Sequence, residues 1–326
     1  MKKFLKVVYI LLAVVIIGIL AFGFYFNNKY PLKLEAENIK IDATPQRLER
    51  GKYLVEHVTN CIDCHSKRDY SKLSGPVAAG TEGMGGEAFT EEMGFPGNIV
   101  PANITPAGIG NYTDGELLRA ITQGIAKDGR ALFPLMPYPN FGKMDKEDIY
   151  SIIAYIRTLK PIENKTAETK LKFPLNFIVK TIPAKNVFGT KPDKTDMVKY
   201  GQYLVQSSGC ADCHTPMVKG EPVPGKEFAG GFSVNLTPTN ISTTANITPD
   251  PETGIGKLSK EDFLNKFRAF RNPSAFVTVQ PDQFQTFMPW QLFSGMTDED
   301  LGAIYEYLRT IKPVNNKVEK FVVKKY

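Results

Sequence analysis

Three blocks of sequence occur twice in this 326-residue chain, in the same order. "RGKYLVEHVTNCIDCH" at 50–65 matches "YGQYLVQSSGCADCH" at 200–214, with one residue fewer in the second copy. "ANITPAGIGNYTDGEL" at 102–117 matches "ANITPDPETGIGKLSKEDF" at 245–263. "GKMDKEDIYSIIAYIRTLKPIEN" at 142–164 matches "SGMTDEDLGAIYEYLRTIKPVNN" at 294–316. A chain built this way must fold as two copies of one unit of about 120 residues. The copies occupy 31–165 and 194–316, and 166–193, rich in Lys, Thr and Pro, reads as an ordered linker laid over their surfaces.

Each copy reads as helical. Thr44-Pro45 is an N-cap followed by proline at the first helical position. Gly51, Leu54, Val55 and Val58 then keep the spacing of one helix face. Ile149, Ile152, Ile153 and Ile156 repeat that spacing, as do Leu301, Ile304, Tyr305 and Leu308, with Pro161 and Pro313 as stops. Thr113-x-x-Glu116 and Ser259-x-x-Asp262 are capping boxes opening a further helix in each copy. No sustained alternation argues for a sheet, so the expected fold class is all-α.

Residues 7–26, "VVYILLAVVIIGILAFGFYF", carry no charge. As a helix they would cover ~30 Å, the thickness of a bilayer's hydrocarbon core. The run exceeds a signal-peptide core of ~7–15 residues, so 1–30 reads as a retained single-pass anchor, with a cleaved signal segment as the competing reading. Lys2, Lys3 and Lys6 predict a cytoplasmic N-terminus and place the rest of the chain on the outer side. Without those three the 40 basic residues fall to 37 against 34 acidic ones. That balance is too mild to suggest nucleic acid, and no basic stripe interleaved with aromatics supports it. The basic segment 317–326 reads as a solvated tail.

All four cysteines lie in two C-x-x-C pairs, each followed directly by histidine: Cys61, Cys64 and His65, then Cys210, Cys213 and His214. One four-thiolate zinc site would have to join pairs much farther apart than the ~15–20 residues of a zinc ribbon. Thioredoxin-like chemistry needs a βαβ setting, and internal disulfides would leave both histidines accidental. C-x-x-C-H has a covalent logic of its own. Two thiols on one helical turn add to the vinyl groups of a haem, and the adjacent imidazole meets the iron. Two covalently bound c-type haems are therefore expected.

The sixth iron ligand is narrowed by the repeat. The third histidine, His57, has Ser207 near its register in the second copy and reads as a polar residue beside an apolar stripe. Met144 and Met296 align but precede helix starts, where they fit a hydrophobic staple. Met136 in "FPLMPYPNF" and Met288 in "TFMPWQLF" each precede a proline, which favours an extended strap able to hold a sulfur over iron. Iron with His/Met ligation suits electron transfer rather than substrate chemistry. Tyr138 and Trp290, two residues on, read either as haem contacts or as ordinary packing. Pro76, and Pro222 or Pro224, are the expected carbonyl partners of the proximal imidazoles.

"CIDCH", "NITP", "GIG" before a capped helix, "DGRALFPLMPYPNF" and "AYIRTLKP" make the chain resemble the class I cytochromes c. It is most similar to the cytochrome subunits of membrane-bound alcohol, gluconate and nicotinate-type dehydrogenases, over nearly all of 44–316. The resemblance implies two tandem class I domains behind the membrane helix, on the periplasmic side of the cell membrane. It implies an electron carrier rather than an enzyme. Its donor would be a dehydrogenase of molybdenum, flavin or quinone type, and its acceptor a downstream cytochrome or terminal oxidase. Members of that branch commonly carry three haems, and this chain has two motifs. Where the family often has a tryptophan before the capped helix, this chain has Tyr112 and Leu258. The alternative is a di-haem enzyme of peroxidase type, which also sets two such motifs in tandem.

Overall fold

The computed structural model describes residues 1–237 and 240–324. Helix α1 (Lys2–Lys29) buries none of its residues. Among the described residues it is the one helix long and apolar enough to cross a membrane. At 1.5 Å per residue it is about 42 Å long, so both ends outreach a ~30 Å hydrocarbon core. The first repeat then forms α2 (Pro45–Tyr53), α3 (Cys61–Cys64), α4 (Pro106–Ile109), α5 (Asp114–Gln123), α6 (Tyr138–Phe141) and α7 (Lys146–Ile156). Helix α8 (Leu175–Ile178) lies in the connecting segment. The second repeat forms α9 (Met197–Ser207), α10 (Cys210–His214), α11 (Lys260–Arg268), α12 (Trp290–Phe293) and α13 (Asp298–Thr310).

The helix starts lie where the capping residues predict. Thr44 accepts a hydrogen bond from the Arg47 amide, and both capping boxes make both of their bonds. A strictly all-α description does not hold, because 39% of residues are helical and short antiparallel ribbons fill some of the loops. Strand β1 (Gly97–Asn98) pairs with β2 (Lys170–Leu171), and β3 (Met217–Val218) with β4 (Glu221–Pro222). Strands β5 (Ser233–Asn235), β6 (Asn240–Thr243) and β7 (Phe321–Val323) form a third ribbon in that order. Strands this short carry too few residues to show an alternating pattern. Strand β7 also corrects the reading of 317–326 as a solvated tail, since Val322 sits opposite Ile241. The last two residues of that tail lie outside the described ones.

The extra residue of the first motif block has a structural home. Residues Leu54–Val58 widen into a π-turn, closed by the Thr59 amide on the Leu54 carbonyl at 2.8 Å, whereas α9 runs as a regular helix. A wider turn absorbs one added residue without shifting the buried face, and such bulges recur next to functional sites.

Helix α2 packs on α7, and α9 packs on α13. Both crossings are tight at a glycine. A Cβ on Gly51 would stand 1.9 Å from the Ser151 carbonyl oxygen, and one on Gly201 would stand 1.9 Å from that of Ala303. Buried side chains of both repeats, including Leu54, Ile152, Leu204 and Leu301, belong to one core cluster. Contacts between the repeats are reciprocal, as across a two-fold axis. The Tyr53 hydroxyl donates to Asp300 at 2.7 Å, and that of the matching Tyr203 donates to Asp148 at 2.7 Å.

Asp148 is 1% exposed and also accepts from Arg50 at 2.7 Å and Lys191 at 3.0 Å. Burial alone would raise its carboxyl, but the Arg50 hydrogen bond and charge, helped by Tyr203 and Lys191, hold it below the usual range. A depressed carboxyl contributes stability that is full above its unfolded value, near pH ~4, and is lost as pH falls through the folded one. Asp148→Asn is thus expected to cost about 3–5 kcal/mol at pH 7, because Arg50 loses its partner. Denaturant melts should show the deficit shrinking towards pH 3; a deficit that stays constant there would contradict the assignment.

Candidate cofactor sites

Each Cys-x-x-Cys turn begins at a residue in the left-handed region, Asn60 (φ 54°) or Gly209 (φ 64°). That reversal ends the preceding helix and starts a new turn, and Asn tolerates it better than most residues with a Cβ. The two cysteines of each motif lie one turn apart on one face, with the histidine at or just past the end. All four cysteines are free. Partial burial pushes the Cys61 thiol up to about 11 and that of Cys210 up to about 12, while Cys213 stands exposed. Among the described residues no group of three or more His, Cys, Asp or Glu side chains is gathered as for a metal ion.

The imidazoles are held identically. His65 Nδ1 lies 2.7 Å from the Ala102 carbonyl oxygen, and His214 Nδ1 lies 2.7 Å from that of Ala245. A carbonyl only accepts, so Nδ1 carries the proton and Nε2 keeps its lone pair. Burial lowers both histidines below their ordinary value, in keeping with neutral rings. These partners replace the expected prolines. The Pro76 carbonyl accepts from the Asp69 amide, and Pro222 pairs with Met217 in the β3–β4 ribbon. The chain loops away after each motif, and the "ANITP" segment is what returns to it.

That segment is braced from within. Asn103 accepts from the Thr105 amide and hydroxyl and donates to the Ile162 carbonyl at 2.8 Å. Asn246 does the same with Thr248 and donates to the Val314 carbonyl at 2.7 Å. Gly85 and Gly230, with φ of 67° and 74°, close the loop by donating to the His65 and His214 carbonyls. A Cβ at either would stand 2.5 Å from Ala102 or Ala245 backbone. Sequence reasoning missed these six residues, although "ANITP" and a Gly-Gly pair recur in both copies.

Met136 and Cys61, like Met288 and Cys210, border the common core cluster half-buried. Met144 and Met296 are 0% and 1% exposed, inside the core. Tyr138 is buried and its hydroxyl has no partner, so a polar group of a cofactor would satisfy it. Trp290 instead stacks on Phe270 at 4.9 Å and meets Phe267 edge-on at 5.2 Å, which is ordinary packing. His57 Nδ1 bonds the Leu292 carbonyl at 3.1 Å, a link between the repeats.

The motifs are neighbours. Asn60 donates to the Ser208 carbonyl at 3.3 Å and Asn140 to Asp212 at 2.8 Å, while Cys213 is close enough to help raise the Cys64 thiol.

Residues 198–312 match the sequence model of a family described as cytochrome c. This stretch of the second repeat is a cytochrome c domain. The chain is similar to the cytochrome c subunit of a quinone alcohol dehydrogenase from Gluconacetobacter polyoxogenes, with 31% identity over 84% of this chain and 58% of the relative. The fructose dehydrogenase cytochrome subunit of Gluconobacter japonicus is 30% identical over 81% of this chain and 52% of its own length. A diheme cytochrome c-type protein of Cereibacter sphaeroides is 28% identical over 78% of this chain and 82% of its own. The chain thus spans little more than half the length of the dehydrogenase subunits it matches. Those relatives are named as the cytochrome subunits of their dehydrogenases.

Proposed function

We propose that the chain is a membrane-anchored, two-haem electron carrier. In this reading 1–30 is the anchor, 31–165 and 194–316 are two class I cytochrome c domains, 166–193 links them, and 317–326 is a basic C-terminal segment. The observation that carries it is the matched pair of sites, each an imidazole fixed through Nδ1 by an alanine carbonyl beside a Cys-x-x-Cys turn. Bound haem would supply one one-electron couple at each site. The chain's residues do the rest. Cys61 and Cys64, and Cys210 and Cys213, would hold the haems covalently; His65 and His214 would offer Nε2 to the iron; Met136 and Met288 would supply the second ligand.

The neighbouring motifs favour transfer from one site to the other within the chain. Two one-electron sites together accept both electrons of a two-electron oxidation, which fits a dehydrogenase of molybdenum, flavin or quinone type as donor. A downstream cytochrome or terminal oxidase would receive them. The basic residues before α1 favour an outer location for both sites. Matching methionine straps in both copies favour a carrier over a di-haem enzyme of peroxidase type.

Chain purified from an exporting host should carry the mass of two haems and show sharp reduced visible bands. Its absorbance should reduce when a quinone-type dehydrogenase turns over beside it. A colourless chain, or one of unmodified mass, would overturn the proposal.

A further inference from the structure

A cluster of apolar side chains stands in the open where the linker passes the end of α1. Phe173 is 79% exposed, Phe177 44% and Ile178 45%. The rings form a ladder off the membrane helix. Phe22 and Phe26 lie 6.0 Å apart, Phe26 and Phe177 6.0 Å, and Phe177 and Phe173 6.0 Å. Lys180 adds a hydrogen bond to Asn27 at 3.1 Å.

The cluster is not a loose loop. On one side β2 pairs with β1, the Lys172 amide donates to the Pro96 carbonyl at 3.1 Å, and Thr169 caps the Val100 amide at 3.0 Å. A Cβ at Gly97 would stand 2.2 Å from the Lys170 carbonyl oxygen, so the two segments are in close contact. On the other side Val179 is buried. An apolar tip is thus held out rigidly from the first repeat.

We propose that 172–178 is a second membrane contact, with Phe173, Phe177 and Ile178 seated in the interfacial layer of the bilayer that α1 crosses. This rests on reading α1 as the anchor. The last turn of α1 holds Phe26, and a helix of ~42 Å brings its ends to headgroup level, where aromatic rings are favoured. Whatever covers Phe26 there also covers the Phe177 ring against it, and that continuity selects lipid over a protein partner. Lys170 and Lys180 flank the tip, which suits anionic headgroups, while Lys172 pairs with Glu91. One helix leaves a domain free to swing; a helix plus a rigid tip fixes its height and tilt above the membrane, and with them the face offered to redox partners.

The test uses the full chain in vesicles of phosphatidylcholine and phosphatidylglycerol, with a benzoylphenylalanine photo-crosslinker replacing one residue at a time. Phe173 is the probe, Ile16 reports the anchor, and Val187, 78% exposed farther along the linker, is the control. Lipid adducts at positions 173 and 16, at several times the yield at 187, are the expected result. Adducts at 16 with no excess at 173 over 187 would overturn the second contact while leaving the anchor intact. Absence of adducts at 16 and 173 would overturn both readings.

Discussion

Met288→Ala is expected to strip the second site of its low-spin visible spectrum and to lower its potential while leaving the first site unchanged. A thioether opposite histidine raises the potential of haem iron, and axial ligands command a range of ~0.8 V. The fall should be on the order of 0.1 V or more. Met136→Ala should do the same at the first site alone, so redox titration of the two variants separates the two couples. Met144→Ala and Met296→Ala provide the contrast. Both side chains are fully buried, so each truncation should cost about 2–5 kcal/mol of stability and leave the spectrum as it was. The opposite pattern would reassign the ligands.

The two straps are held differently. The Met288 strap is clamped from the first repeat. Ser74, which is fully buried, donates from its hydroxyl to the Met288 carbonyl at 2.6 Å and accepts from the Trp290 amide at 3.2 Å. Gln285 accepts from the Ser74 amide at 2.6 Å and donates to the Lys72 carbonyl at 2.8 Å. The longer stretch before Met288 is what reaches this loop, with Thr278 bridged to Lys72. The one region where the copies diverge most is thus where one copy serves the other's site.

Helix starts and the buried face of each repeat were legible because caps and 3.6-residue periodicity are local signals, whereas the close approach at Gly51 and Gly201 was not. The grouping of each motif's two thiols with its imidazole was legible too, since all three lie within one turn. The partners of the imidazoles were not. They are backbone carbonyls contributed by alanines, and an alanine carbonyl carries no residue-type signal; only its braces, Asn103 with Thr105 and Asn246 with Thr248, leave a trace in sequence. The short ribbons escaped for want of length, and the reciprocal tyrosine–aspartate bonds because they join residues far apart in the chain.

Gly201→Ala should be among the most damaging single substitutions in the chain, against the usual rule. In a helix interior alanine is favoured over glycine by about 1 kcal/mol. Here the added methyl would stand 1.9 Å from the Ala303 carbonyl oxygen and 2.5 Å from its carbon, both backbone atoms of α13. Neither can turn aside, so α9 and α13 must separate. Overpacking of this kind costs about 3 kcal/mol or more, which overwhelms the propensity gain. Helix α9 leads straight into Cys210, so the second site should loosen along with the fold. Gly302→Ala, on α13 itself, is the control. Its methyl would meet the flexible end of Lys260, at 2.7 Å, and touch that of Met197, at 3.8 Å, so stability should hold or rise by up to ~1 kcal/mol. Denaturant midpoints of the holoprotein decide it: if Gly201→Ala proved no less stable than Gly302→Ala, the close crossing of α9 and α13 would not be what holds the second motif in place.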